Sequence, residues 1–133
     1  MHRRDGFRRL IQEQACDMLQ VDVSSTGGML EAKRIADIAD LYYMPFVAHN
    51  ITSPLGMVAA GHVCAAVRNH YTMELPCHSD QVAWQWDLVL SDSELIVDGR
   101  FVLPSGLGLG VELNEYVARR HLKEGYDFFG EGL

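Results

Sequence analysis

Three side chains of this sequence, Asp22, His49 and Glu74, could transfer protons as a group. Each falls at the C-terminal end of a short run with strand character, "MLQVDV", "MPFVAH" and "YTMEL". The C-terminal ends of parallel strands are where α/β barrels and open sheets carry their reactive groups. Neighbouring strands lie about 4.8 Å apart, so a carboxylate at position 22 can reach the ring at position 49. Such a carboxylate fixes the imidazole tautomer, raises the basicity of the far nitrogen and stabilises the imidazolium once formed. His49 is therefore a candidate general acid/base with Asp22 as its partner. Glu74, one strand further on, could complement the pair from the rim. Each residue also has an ordinary reading, since a strand-end aspartate commonly caps the following loop and a lone histidine is more often structural. Their common register is what favours chemistry.

The elements that must position them are legible as periodicity. Phe7, Leu10, Ile11 and Cys16 fall at roughly helical intervals and predict a helix feeding the first strand. "SSTGG" offers hydroxyls suited to an N-cap ahead of "MLEAKRIADIADLYY", where Ile35, Ile38 and Ala39 form an apolar stripe. "SPLG" predicts a turn with Pro54 near the start of a small-residue helix, "LGMVAAGHVCAAVRNH". Val21, Val47 and Met73 follow one another at intervals of 26 residues. Short strands alternating with helices of this length predict parallel βαβ units, which a (β/α) barrel or a Rossmann-type open sheet would both satisfy. Beyond Glu74 the pattern changes. "LPCHSDQVAWQWDLVLSDS" predicts a long loop, "ELIVDGRFVLP" a hairpin about Asp98-Gly99, and "SGLGLG" a turn before an amphipathic helix from about Glu112.

Composition narrows the class. A chain of 133 residues, 48% hydrophobic and 22% charged, fits one soluble globular domain. A net charge of −7 argues against binding to a nucleic-acid backbone, which needs a basic face. Cys16, Cys64 and Cys77 are odd in number and widely spaced, so neither a disulfide framework nor a zinc site is expected, and a reducing cytoplasm is the simplest setting. No apolar run approaches the roughly 20 residues that cross a bilayer, so no membrane partner is expected. His62 reads as a packing or helix-end residue, and His70, His78 and His121 lack an i, i+4 partner for a metal. "GLGLG" follows a proline-ended hairpin rather than a buried strand, which argues against a dinucleotide cofactor. Trp84 and Trp86 could line a pocket, although such a pair more often anchors a loop.

In order and spacing, "DMLQVDVSSTGGMLEAKRIADIA", "MPFVAHNITSPLGMVAAGHVCAAVRN", "MEL" and "VLPSGLGLGVELNE" resemble the C-terminal part of the mandelate racemase/muconate lactonizing enzyme group of the enolase superfamily. The resemblance runs from about Phe7 to Leu122. It implies an α/β fold, the C-terminal portion of a (β/α)7β TIM-like barrel. Residues 1–90 would hold strands six to eight as three βα units, and residues 91–133 a hairpin and helix returning to a capping domain. It also implies an enzyme that removes the proton α to a carboxylate and holds the enediolate on Mg²⁺. In the mandelate racemase type the positions of Asp22 and His49 are the acid/base dyad, and that of Glu74 hydrogen-bonds the substrate carboxylate. The wording around "HNITSP" is closest to sugar-acid dehydratases, with a racemase or cycloisomerase acting on a 2-hydroxy acid as the alternative. Members of the group are often homo-oligomers. The carboxylates that bind Mg²⁺ and the lysine motif of the opposite base would all precede Met1. The chain is therefore expected to be a fragment that holds no metal ligands, has exposed strand edges, and is poorly soluble and inactive alone. A non-catalytic remnant docking on a full-length homologue is the reading from another class.

Overall fold

The chain begins with a helix that buries only the two residues one turn apart, Phe7 and Ile11, of α1 (Arg3–Gln12). The computed structural model describes residues 1–76 and 80–130. After α1 come β1 (Leu19–Asp22), a single helical turn α2 (Val23–Thr26), α3 (Met29–Asp40), β2 (Phe46–His49), α4 (Pro54–Ala65) and β3 (His70–Met73). The three strands form one parallel sheet in the order β1-β2-β3, with Asp22 beside His49 and Gln20 beside Val47. The pairing of β2 with β3 shifts between Phe46 and Val47, which sets Val47 opposite Thr72 and Ala48 opposite Met73.

Alternation along the strands sorts the side chains onto two faces. Leu19, Val21, Phe46 and Ala48 turn to the helices and join Phe7, Ile11, Ala32, Ile35, Ala36, Ala39, Ala60, Val63 and Cys64 in one core. In α3 the buried positions are Ala32, Ile35, Ala36 and Ala39, a stripe at helical spacing. Gln20, Asp22, Val47, His49, Thr72 and Glu74 are left on the opposite face. Asn69, just before β3, donates from Nδ2 to the carbonyls of Ala36 and Met44 at 3.0 and 2.9 Å, tying α3 to the start of β2.

The polar "SSTGG" segment does not cap α3. Asp22 caps first, accepting from the Ser25 N–H at 2.8 Å, and the hydroxyl residues wind into α2. Gly27 and Gly28, at φ of 128° and 90°, then turn the chain into α3, whose N-cap Gly28 makes no side-chain bond. Within the segment expected to be a long loop, Asp80–Leu88 forms a 3₁₀ helix carrying both tryptophans. Trp84 stacks on His121 with ring centroids 3.7 Å apart, so it fastens the loop to the C-terminal segment. Next to this helix, β4 (Val89–Leu90) pairs antiparallel with β7 (Glu112–Leu113).

Between them β5 (Ile96–Val97) and β6 (Arg100–Phe101) form the hairpin, whose Asp98 and Gly99 both take positive φ, as a two-residue turn of this type requires. The last helix is shorter than expected. Residues 112–113 are held in β7, Asn114 caps by accepting from the Val117 N–H, and α5 runs only Glu115–Arg120 with no buried residue. Six residues cannot build a full apolar stripe, so packing of α5 rests on the Trp84–His121 stack and on Arg119 over the Phe128 ring. Among the described residues no helix is long and apolar enough to cross a membrane.

Helix α4 is buried at Pro54, Met57, Val58, Ala60, Gly61, Val63 and Cys64, because α3 and the sheet pack against it and Phe101 of the hairpin lies over Gly61. A Cβ at Gly61 would overlap the Phe101 ring of β6. Gly61→Ala is expected to destabilise the protein by about 1–3 kcal/mol in urea unfolding, as overpacking does, and the added change Phe101→Leu to restore part of the loss.

Candidate active site

The parallel register brings Asp22 and His49 side by side at the ends of β1 and β2. Asp22 divides its carboxylate: Oδ1 accepts from the Ser25 N–H at 2.8 Å, and Oδ2 lies 3.0 Å from His49 Nδ1. Partial burial works to raise the Asp22 pKa. Hydrogen bonds from His49 and from the backbone and side chain of Ser25, with the charge of His49, outweigh it and hold the carboxyl below its usual value. Asp22 is thus ionised at neutral pH and can only accept. His49 must place its proton on Nδ1 when neutral, which leaves Nε2 as the nitrogen with a free lone pair.

Glu74 follows β3 directly, and its N–H bonds the Ala48 carbonyl at 2.9 Å, which sets it level with His49. Its Oε2 lies 3.6 Å from His49 Nε2 and accepts from Gln20 Nε2 at 3.1 Å and from the Asn50 N–H at 3.3 Å. The side chain of Asp22 is 14% exposed, against 31% for His49 and 38% for Glu74.

The turn after His49 is tied down by its own side chains. Asn50 is 2% exposed; its Nδ2 donates to the Ser53 carbonyl at 3.2 Å, and its Oδ1 accepts from Thr52 Oγ1 at 3.1 Å. Ser53 then caps α4, accepting from the Gly56 N–H at 3.2 Å, with Pro54 in the first turn. Glycine at position 56 leaves room for these bonds, since a Cβ would come within 2.7 Å of Thr52 Oγ1 and 3.0 Å of Asn50 Oδ1 and push them aside.

Asp22, His49 and Glu74 thus meet in one cluster, and the other candidates stand apart from it. His62 donates from Nε2 to the Leu109 carbonyl at 3.0 Å, a packing contact between α4 and the glycine-rich turn. His121 is occupied by its stack on Trp84, and Trp86 lies beside Glu94, Leu95 and Ile96. Burial pushes the Cys64 thiol up to about 11, which leaves it unreactive at neutral pH. Cys77 and His78 lie outside the described residues. Two members of the cluster, Gln20 and Asn50, are not singled out by the sequence. The signal for Gln20 is its place two residues before Asp22, on the same strand face. Asn50 carries only its adjacency to His49.

A Mg²⁺ ion is not suited by these residues. Both oxygens of Asp22 are engaged by N–H donors, and among the described residues no group of three or more His, Cys, Asp or Glu side chains is placed to hold a metal.

The family model described as enolase C-terminal domain-like matches residues 1–117. The chain is 37% identical over 131 residues to the D-xylonate dehydratase of Haloferax volcanii, covering 98% of this chain and 31% of that protein. It is 28% identical over 131 residues to a D-galactonate dehydratase of Ralstonia pickettii, covering 96% of this chain and 34% of that one. The crystal structure of a mandelate racemase/muconate lactonizing enzyme-like protein from Rubrobacter xylanophilus superposes with a TM-score of 0.87 at 42% identity, over 97% of this chain and 32% of that chain. The chain spans about a third of the length of these relatives.

The two bonds of Asp22 can be separated by mutation. Asp22→Asn keeps an oxygen to cap α2, whereas Asp22→Ala loses the cap and is expected to cost about 1 kcal/mol more. Since folding lowers the Asp22 pKa, the stability it contributes is present above the ordinary aspartate range and is lost as pH falls through the lower folded value. Urea midpoints of the wild type should therefore drop between pH 5 and pH 3 by more than those of Asp22→Asn. Equal drops would remove the ionised Asp22 from the account.

Proposed function

Because the chain belongs to the enolase C-terminal domain-like family, we propose that it carries the acid/base side of an enolase-superfamily active site that dehydrates a sugar acid. The observation that carries this reading is the Asp22–His49 bond, which fixes a proton on Nδ1 and leaves the lone pair on Nε2. His49 Nε2 takes the proton from the carbon α to the substrate carboxylate: the C–H bond breaks and an N–H bond forms. Asp22 stabilises the resulting imidazolium. The proton held at Nε2 then passes to the β-hydroxyl, which leaves as water, and the enol left behind rearranges to a 2-keto-3-deoxy acid. Glu74, on the far side of Nε2, faces the space in which the substrate carboxylate would lie.

The dehydratase reading is supported by the names of the relatives. In it, residues 1–90 contribute part of a barrel and residues 91–133 a piece that returns to a capping domain. When bound, Mg²⁺ stabilises the enediolate in such enzymes; the steps carried by Asp22, His49 and Glu74 do not run through it.

A chimera tests the proposal, with this chain replacing the matching third of the Haloferax volcanii D-xylonate dehydratase. Assayed with Mg²⁺ and a panel of aldonic acids, the folded chimera is expected to release 2-keto-3-deoxy acids. His49→Asn should lower kcat by about 10²–10⁴-fold with the circular dichroism unchanged. A folded chimera that dehydrates nothing, or full activity in His49→Asn, would overturn the reading. Exchange of α-deuterium with the hydroxyls retained would replace dehydration with racemisation.

A further inference from the structure

Glu74 stands just beyond β3 with its side chain 38% exposed, where a glutamate ordinarily samples several rotamers. Yet three nitrogens converge on its Oε2. Two belong to the segment that carries the catalytic ring: the Asn50 N–H at 3.3 Å and His49 Nε2 at 3.6 Å. The third, Gln20 Nε2 at 3.1 Å, comes from β1, on the other side of β2.

Strands two places apart in a sheet are separated by about 9.6 Å, twice the spacing of neighbours. Two long side chains reaching toward each other can close that distance; an aspartate or asparagine at either end could not. Val47 lies between Gln20 and Thr72 on this face. It is only 7% exposed although it stands outside the helix-covered core, as a side chain crossed by a bridge from Gln20 to Glu74 would be. The residue type fits as well. A lysine in place of Gln20 would neutralise Glu74, whereas a neutral amide orients the carboxylate and leaves its charge free to act on the ring.

We propose that Gln20 is a positioning residue for the acid/base pair, drawing the Glu74 carboxylate over β2 and holding it against His49 Nε2. The role rests on the acid/base reading of His49. The ring then lies between two carboxylates, Asp22 bonded at Nδ1 and Glu74 3.6 Å from Nε2, and an imidazolium formed there meets negative charge on both sides. Without Gln20, Glu74 retains the Asn50 N–H alone and swings toward solvent, where water screens its charge.

The test reads the ring nitrogens of His49 by long-range ¹H–¹⁵N correlation in the full 133-residue chain, for the wild type, Gln20→Met, Glu74→Gln and the double variant. Gln20→Met is expected to move the Nε2 resonance in the same direction as Glu74→Gln and by at least about half as much. It should leave Nδ1 unmoved and add nothing in the Glu74→Gln background, because a residue that acts through another has no effect once that other is gone. Gln20→Glu, of equal length but repelling Glu74, should give the same shift. The proposal is overturned if Nε2 stays in place in both Gln20 variants, if Gln20→Met moves it equally without Glu74, or if Nδ1 and the backbone amides move with it. The measurement needs no turnover. An inactive chimera with the Nε2 shift intact overturns the dehydratase reading alone, and an active chimera with Nε2 unmoved overturns the role of Gln20 alone.

Discussion

The site depends on a carboxylate with two employments. Asp22 ends β1, and the backbone there is about to become α2, so the same side chain has to satisfy the Ser25 N–H and face His49 across the sheet. A carboxylate has two oxygens, and here Oδ1 serves the cap while Oδ2 serves the ring. The helix turn holds the carboxylate in one rotamer. The carboxylate in turn holds the imidazole in one tautomer, and from that tautomer follows which ring nitrogen can receive a proton. Were Asp22 only a cap, His49 would be free to rotate; were it only a partner to His49, α2 would lack its cap.

The parallel sheet makes this arrangement possible because it separates packing from chemistry. Leu19, Val21, Phe46 and Ala48 secure the strands to the helices on one face, so neighbours on the other face need not be apolar. Gln20, Asp22, His49 and Glu74 occupy that second face and are held by hydrogen bonds among themselves. The buried Asn50 and the Ser53 cap connect the end of β2 to the start of α4, so the position of the ring is tied to a twelve-residue helix packed in the core. Membership of the enolase C-terminal domain-like family accords with this design, and the structural likeness to a mandelate racemase/muconate lactonizing enzyme-like protein extends over nearly the whole chain.

Sequence and structure agree wherever a strong local period is present. The strand ends at Asp22 and His49, the helix after Pro54 and the hairpin at Asp98-Gly99 all follow from patterns a few residues long. They differ in segments where a competing local interaction decides. Asp22 takes the capping role expected of the "SSTGG" hydroxyls, and Glu112–Leu113 leaves the last helix to pair with Val89–Leu90. The 3₁₀ helix that carries Trp84 has no period to announce it, and Trp84 itself stacks on a ring 37 residues away in sequence, His121.

By itself the sequence determined which residues stand at strand ends, since side-chain alternation and element length are local properties of the chain. From these came the candidates Asp22, His49 and Glu74 and the resemblance that joined them. Only the tertiary structure decided how they connect: that Asp22 meets Nδ1 and not Nε2, that Glu74 sits across from the opposite nitrogen, and that Gln20 reaches it from two strands away. Those contacts link residues 27, 25 and 54 positions apart. Their geometry depends on strand register and on the shift in the β2–β3 pairing, which arise from packing of the whole sheet against its helices and leave no trace in any short stretch of sequence.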